Sequence, residues 1–340
     1  MNRRLKVGIV GAGRIGRLHA EHLAFRIPDA EVVAIADPFV ENARRCAGRC
    51  GIPKVFEDYH DILNDPKIDA VIVCSPTDTH AKITIESAER GKHVFCEKPI
   101  SHDLKEIDDV LNAVEKSGIK FQVGFNRRFD SNFRRIKKAV ESGEIGDPYI
   151  IHVISRDPEP PSIDYVKSSG GIFLDMTIHD FDMVRYIIGD EVEEVYVVAG
   201  VMVDERIGEV GDLDTAIITL RFRNGVMGTI DNCRKAVYGY DQRVEVFGSK
   251  GVISAQNNYP NNTVRGDETG FHRDPPLRFF MERYIESYVE EMKEFVNAVL
   301  NDGQVPVGGI DGKIPVVMGM AARKSYDENR PVKLSEICSI

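Results

Sequence analysis

The stretch Leu5-Lys6-Val7-Gly8-Ile9-Val10-Gly11-Ala12-Gly13-Arg14-Ile15-Gly16 decides the fold of the first half of this chain. Leu5–Val10 has the apolar run of a buried strand. It enters three glycines spaced G-x-G-x-x-G, and helical periodicity takes over at Arg14–Phe25. Strand, glycine turn and helix in that order open a βαβ unit. A second strand-like run, Glu31–Ala36, ends at Asp37-Pro38.

Each glycine has a physical reason to be there. Gly11 allows the tight turn, Gly13 lets the backbone approach a pyrophosphate that a Cβ would strike, and Gly16 permits close helix–strand packing. The helix N-terminus, flanked by Arg14 and Ile15, offers free N–H groups and the positive end of its dipole to phosphate. Asp37 stands about 20 residues beyond the loop, where a carboxylate accepts from a ribose hydroxyl. A carboxylate there repels a 2′-phosphate, so the pattern predicts NAD over NADP. Arg44 and Arg45 lie further along and soften that preference.

The same alternation continues outward. Val40–Cys50 is helical, Lys54–Phe56 a short strand, Tyr59–Asn64 a helical piece and Ala70–Cys74 a buried-type strand entering Ser75-Pro76. His80–Arg90 is helical, His93–Cys96 a strand ending at Glu97-Lys98-Pro99, Leu104–Lys116 helical and Lys120–Gly124 a sixth strand. Six strands alternating with helices predict an α/β Rossmann domain with a doubly wound parallel sheet over residues 1–124.

The pattern changes beyond Phe125. A helix near Asn132–Ser142 is followed by β-patterned stretches at Tyr149–Ser155, Val192–Val203, Thr215–Arg223, Val226–Asn232, Arg243–Phe247 and Val252–Ala255. Asn224-Gly225 and Gly248–Gly251 mark turns. Phe279–Leu300 reads as one amphipathic helix. Residues 125–340 are therefore expected to form an α+β domain built on a mostly antiparallel sheet.

Bulk properties bound the function. A chain of 340 residues, 42% hydrophobic and 29% charged, suits two folded domains. A net charge of −10 argues against a nucleic-acid footprint. No secretory segment opens the chain, and no apolar run reaches the roughly 20 residues that span a bilayer, so a soluble cytoplasmic protein is expected. The six cysteines show neither disulfide nor zinc spacing; Cys46 and Cys50, at i,i+4, read as reduced packing residues.

Two further groups carry chemistry. Lys98 follows a strand at its carboxyl end, where open α/β sheets bind ligands. By position alone it serves equally as a surface lysine on a loop. In Gly170-Gly171-Ile172-Phe173-Leu174-Asp175-Met176-Thr177-Ile178-His179-Asp180, Asp175 and His179 fall at i,i+4 on one face of an expected helix, which Asp182 extends. Gly170-Gly171 would let the chain approach a cofactor. A histidine beside a carboxylate suits a general base near neutral pH. On spacing alone, a buried hydrogen-bonded histidine or an exposed helix pair fits slightly better. Three ligands on one helix face splay too widely for one ion, so no metal is expected.

Gly11–Gly16, Ser75-Pro76-Thr77 with His80, and Glu97-Lys98-Pro99 together resemble the glucose–fructose oxidoreductase / inositol dehydrogenase / rhizopine catabolism (Gfo/Idh/MocA) family, over nearly the whole chain. The resemblance implies that residues 125–340 carry a large open-faced, mostly antiparallel sheet, bind substrate and supply an oligomer interface, that Ser75, Pro76, Thr77, His80, Glu97 and Lys98 border the cofactor, and that Lys98, Asp175 and His179 are catalytic. Within the family, segments 124–130, 151–158 and 238–241 look most like inositol 2-dehydrogenases. That implies NAD-dependent oxidation of a secondary alcohol of a cyclic polyol, with Arg127, Ser155, Asp157, Asp175, His179, Tyr238 and Tyr240 meeting its hydroxyls, and a homo-oligomer, tetramer or dimer. Ser155 and Asp157 depart from the His and Asn frequent in inositol enzymes, which keeps open a sugar or anhydrosugar substrate. A redox-neutral use of retained cofactor and a non-catalytic NAD-binding sensor also stay open.

Overall fold

The computed structural model describes residues 3–338. The first half alternates as expected: β1 (Leu5–Val10), α1 (Arg14–Arg26), β2 (Ala30–Ala36), α2 (Val40–Cys50), β3 (Lys54–Phe56), α3 (His60–Leu63), β4 (Ala70–Val73), α4 (Thr77–Glu89), β5 (His93–Glu97), α5 (Leu104–Ser117) and β6 (Phe121–Gly124). These six strands form one parallel sheet in the order β3-β2-β1-β4-β5-β6. That is the doubly wound order, with its switch point between β1 and β4.

The second half begins with α6 (Ser131–Glu141), β7 (Pro148–Arg156), α7 (Ile163–Ser168), α8 (Gly171–Asp175) and α9 (Ile178–Ile188). Then come β8 (Val192–Gly200), α10 (Glu205–Glu209), β9 (Thr215–Phe222), β10 (Met227–Cys233), β11 (Asp241–Gly248), β12 (Gly251–Ala255), β13 (Val264–Asp267) and β14 (Gly270–Arg273). Helices α11 (Phe280–Arg283), α12 (Ile285–Leu300) and α13 (Gly309–Glu328) precede β15 (Val332–Lys333). A seven-stranded sheet runs β12-β11-β7-β10-β9-β8-β15, antiparallel at every pairing except β7 with β10.

The chain forms two compact units, and their boundary differs from the sequence division at 124/125. The first holds residues to Phe129 and also Glu286–Ile314; the second holds Asp130–Ile285 and Pro315 onward. Met292, Phe295 and Val296 of α12 join Leu5, Val7 and Ile9 of β1 in one core. Phe295 meets Phe95 edge to face at 5.9 Å.

The expected single helix at Phe279–Leu300 is broken. Tyr284 leaves helical geometry at φ −115°. Its ring packs edge to face on Tyr240 and under the Arg283 guanidinium, which is paired with Asp130. Burying these two side chains in the second unit outweighs one more helical turn. Periodicity does not reveal helix α13, because Gly309, Gly312, Pro315 and Gly319 are poor helix formers. Close packing requires the glycines: a Cβ would stand 2.5 Å from Ile100 at Gly312 and 2.5 Å from Leu174 at Gly319.

At the carboxyl end of the parallel sheet, His80 ties two loops together. Its Nδ1 meets the carbonyl of Pro99 and its Nε2 that of Ser75, both at 2.8 Å. Two acceptors call for two N–H groups, so the imidazolium form is favoured. Burial pushes its pKa down, but neighbouring Cys96 and the two carbonyls outweigh this and hold it at about 9. A folded pKa above the ordinary 6.5 means that this stabilisation is complete below pH 6.5 and is lost as pH rises through 9. In urea unfolding, the advantage of the wild-type chain over His80→Gln is expected to shrink by up to roughly 3 kcal/mol between pH 6 and pH 9. Parallel stability curves for the two chains would contradict the assignment.

Candidate active site

In the first unit, β1 delivers the glycine loop. Gly11 has φ +96°, and a Cβ on it would lie 2.6 Å from the Cys74 carbonyl oxygen. A Cβ on Gly16 would lie 1.9 Å from the carbonyl oxygen of Gly11. The chain's own backbone demands both. Gly13 differs: it is exposed, and no heavy atom of the described residues lies within 4 Å of a Cβ built there. The space a side chain would fill at Gly13 suits a ligand's phosphates. Gly13 is also the N-cap of α1, with no side-chain cap among the described residues, so the first-turn N–H groups face outward beside exposed Arg14 and half-buried Ile15.

Asp37 is buried, and its carboxylate is fixed by two backbone donors. Ala12 N–H reaches Oδ2 at 2.7 Å and Phe39 N–H reaches Oδ1 at 2.8 Å. An ionised carboxylate accepts about four hydrogen bonds, so capacity remains for a ribose hydroxyl. The loop, the helix end and Asp37 together fit a dinucleotide. Arg44 and Arg45 are exposed and engage Glu41 and Asn42. Cys46 and Cys50 are free thiols, and burial pushes Cys46 up to about 12.

Beyond β4, the hydroxyls of Ser75 and Thr79 are 2.6 Å apart, Thr79 Oγ1 donates to the Pro76 carbonyl, and Thr77 opens α4. His80, expected to border the cofactor, has both ring nitrogens bonded to carbonyls. Glu97, also assigned to the cofactor, has Oε1 2.7 Å from Nε2 of fully buried His19 on α1. That bond ties the end of β5 to the helix behind the glycine loop. Half-buried Lys98 follows, joined to Pro99 by a cis peptide. Arg127 lies in a single helical turn, Asn126–Phe129, and is buried within the first unit rather than the second.

In the second unit, Asp175 and His179 do not share a helix. Asp175 ends α8 and His179 sits in the first turn of α9. The break lies at Thr177, whose N–H reaches back to the Ile172 carbonyl at 2.9 Å while its hydroxyl donates to Asn232 Oδ1 at 2.5 Å. A side-chain bond to a neighbouring strand has replaced helix continuation. Asp182 is buried in α9, so Asp175, His179 and Asp182 form no continuous stripe. Asp180 accepts from Asn232 Nδ2 at 2.9 Å. Asp175 accepts from Tyr165 Oη at 2.8 Å and from Arg234 Nη1 at 3.2 Å. Gly170 and Gly171 were expected to make room for the cofactor. Their positive φ values shape a turn that receives Asp212 instead: a Cβ on Gly171 would lie 2.7 Å from Asp212 Oδ1.

The expected polyol contacts divide. Ser155 is fully buried on the inner face of β7 and accepts from Gln242 Nε2 at 3.0 Å, and Tyr284 Oη reaches Gln242 Oε1 at 3.4 Å. Tyr238 is 43% exposed; it donates to Asp241 at 2.5 Å and accepts from Arg156 at 3.2 Å. Burial and that carboxylate push its phenol pKa up. Tyr240 is buried against Tyr284, and Asp157 is half-buried beyond β7. Tyr165, Arg234, Asp212 and His19 are not evident from sequence. For Arg234 the one available signal is a charge just beyond the strand-like run Val226–Asn232.

Residues 5–125 match the oxidoreductase family with an NAD-binding Rossmann fold, and residues 133–254 match the GFO/IDH/MocA C-terminal domain. A Thermotoga maritima protein named myo-inositol 2-dehydrogenase is 50% identical across 98% of this chain and 99% of its own. A Rhizobium meliloti inositol 2-dehydrogenase is 41% identical across 97% of this chain and 99% of its own. The solved scyllo-inositol dehydrogenase of Lactobacillus casei, with bound NAD(H) and scyllo-inositol, superposes with TM-score 0.92 at 32% identity, covering 98% of this chain and 100% of that one. The chain belongs to the Gfo/Idh/MocA family of oxidoreductases with an NAD-binding Rossmann fold.

Proposed function

We propose that this chain is an NAD-dependent dehydrogenase that oxidises a secondary alcohol of a cyclic polyol to a ketone, with myo-inositol the first substrate to test. One observation carries the reading. A chain similar to inositol dehydrogenases over nearly its full length also carries Lys98, Asp175 and His179, the residue types such a reaction needs.

The glycine loop and Asp37 would hold the pyrophosphate and a ribose of NAD, whose nicotinamide would supply the acceptor for the carbinol hydride. Lys98 donates a hydrogen bond to the reacting oxygen and stabilises its developing negative charge. The His179 imidazole takes the hydroxyl proton. Asp175, fixed by Tyr165 and Arg234, orients the imidazole and favours its charged form. Arg127, Asp157 and Tyr240 bind the remaining hydroxyls, while Ser155 and Tyr238 act through their bonds to Gln242 and Asp241. A site built for several hydroxyls discriminates strongly, because a missing one leaves a buried group unpaired. The Ser155 and Asp157 departures favour one rival reading, a pyranose or anhydrosugar substrate.

The outer face of the seven-stranded sheet exposes Val198, Ile217, Met227, Phe247 and Val252. We read it as the seat of a second copy, in a dimer or tetramer. The free cysteines suit a cytoplasmic enzyme, and no helix among the described residues is long and apolar enough to cross a membrane.

A panel of inositols and sugars with NAD or NADP, followed at the NADH absorbance band, tests the reaction. Turnover on myo-inositol with NAD is expected; a chain that forms no NADH with any member is not this dehydrogenase. His179→Ala should lower kcat by roughly a hundredfold to ten-thousandfold while NADH fluorescence titration shows binding intact. Near-normal turnover in that variant removes His179 from the mechanism. Asp37→Ala should weaken NAD roughly tenfold or more and narrow the gap to NADP; unchanged NAD affinity would refute the ribose contact. Ile217→Glu should shift the species seen by light scattering toward monomer, and a wild-type chain that is monomeric at every concentration contradicts the sheet-face interface.

A further inference from the structure

Beyond the end of β10, Arg234 turns its side chain into the interior of the second unit, where it is 1% exposed. Its Nη1 donates to Asp175 Oδ2 at 3.2 Å, and its Nη2 stands 3.7 Å from Asp212 Oδ2. Asp212 Oδ1 accepts the backbone N–H of Ile172 at 3.0 Å, near the start of α8, and Asp175 closes the same helix. One guanidinium therefore spans both ends of the segment that presents Asp175. Among the described residues its Nε and Nη2 find no hydrogen-bond partner. Apolar side chains of similar volume can often replace a whole buried ion cluster without loss, but removing the cation alone would leave the Asp175 and Asp212 carboxylates uncompensated. Its charge and reach, rather than its packing, account for its presence.

We infer that Arg234 is a positioning residue for the reaction, holding Asp175 as a fixed, ionised carboxylate and anchoring the segment that leads into His179. The inference rests on the catalytic roles proposed above for Asp175 and His179. The cluster places one cation between two carboxylates. Tyr165 of α7 and Arg234 face Asp175, His179 follows it at the start of α9, and Asp212 shares the guanidinium. Without the cation, one carboxyl must take up a proton or turn away, and every acid in the cluster holds its proton more tightly. The pH at which activity fails on the acid side must then rise.

The test compares Arg234→Met, Arg234→Lys and the double variant Asp212→Asn with Arg234→Met. Arg234→Met should lower kcat on myo-inositol at least tenfold, with NADH affinity within about twofold of wild type and the acid limb of the kcat profile displaced upward by about one pH unit. Arg234→Lys should recover part of kcat and return the limb. If Arg234→Met fails to fold, the double variant, relieved of one buried carboxylate, carries a limb displaced in the same direction but by less, because the lost Asp212 charge offsets part of the lost cation. A fall in kcat with an unmoved limb and no rescue by lysine overturns the inference, as does an unchanged kcat. Should wild type oxidise no polyol or sugar, the functional reading fails by itself. Arg234 is then judged by the His179 imidazole titration in NMR, assigned by its loss in His179→Gln. A pKa raised by about one unit in Arg234→Met, or by less in the double variant, supports the role, and superimposed curves overturn it.

Discussion

The turn from β1 into α1 closes only because no Cβ stands between Gly16 and the carbonyl of Gly11, where one would lie at 1.9 Å. That contact fixes the angle at which α1 leaves the sheet. The angle places His19, in the second turn of α1, against Glu97 at the end of β5, two strands away in the sheet order. It also leaves Ala12 N–H directed at Asp37 beyond β2. Three strand ends are thus registered to one another through a single steric allowance. The dinucleotide surface is a consequence of how this turn packs.

Much of the fold is legible in the sequence because its signals are local. Parallel strands buried on both faces produce short apolar runs, and the helices between them produce a 3.6-residue period. The first six strands and their helices follow from that alone. The departures share a cause. At Arg283-Tyr284 a continuous period is broken by two side chains drawn into the interior of the second unit. In α13 the period is obscured by glycines needed for close packing. At Thr177 a hydroxyl bonds Asn232 in place of helix continuation. In each case a partner distant in the chain decides the local structure.

The candidate site divides along the same line. The glycine loop and Asp37 are readable because their geometry is set within one βαβ unit. The assignment of Lys98, Asp175 and His179 comes only through resemblance. The groups that hold them are not readable in the sequence. Asp175 is fastened by Tyr165 from α7 and Arg234 beyond β10, and Arg234 in turn by Asp212 ahead of β9. No periodicity links residues 165, 212 and 234, since only the packing of helices onto the mixed sheet brings them to one point.

The same holds for the residues proposed as polyol contacts, which sit in a network of buried hydrogen bonds. The Ser155 hydroxyl is occupied by Gln242, which also engages Tyr284. A change at one position of such a network is absorbed by its neighbours, because an unpaired buried polar atom costs more than a small shift of partners. A proton acceptor has no such freedom: misplaced by an ångström, it loses most of its effect. In this chain Ser155, Gln242 and Tyr284 therefore act as one hydrogen-bonded unit.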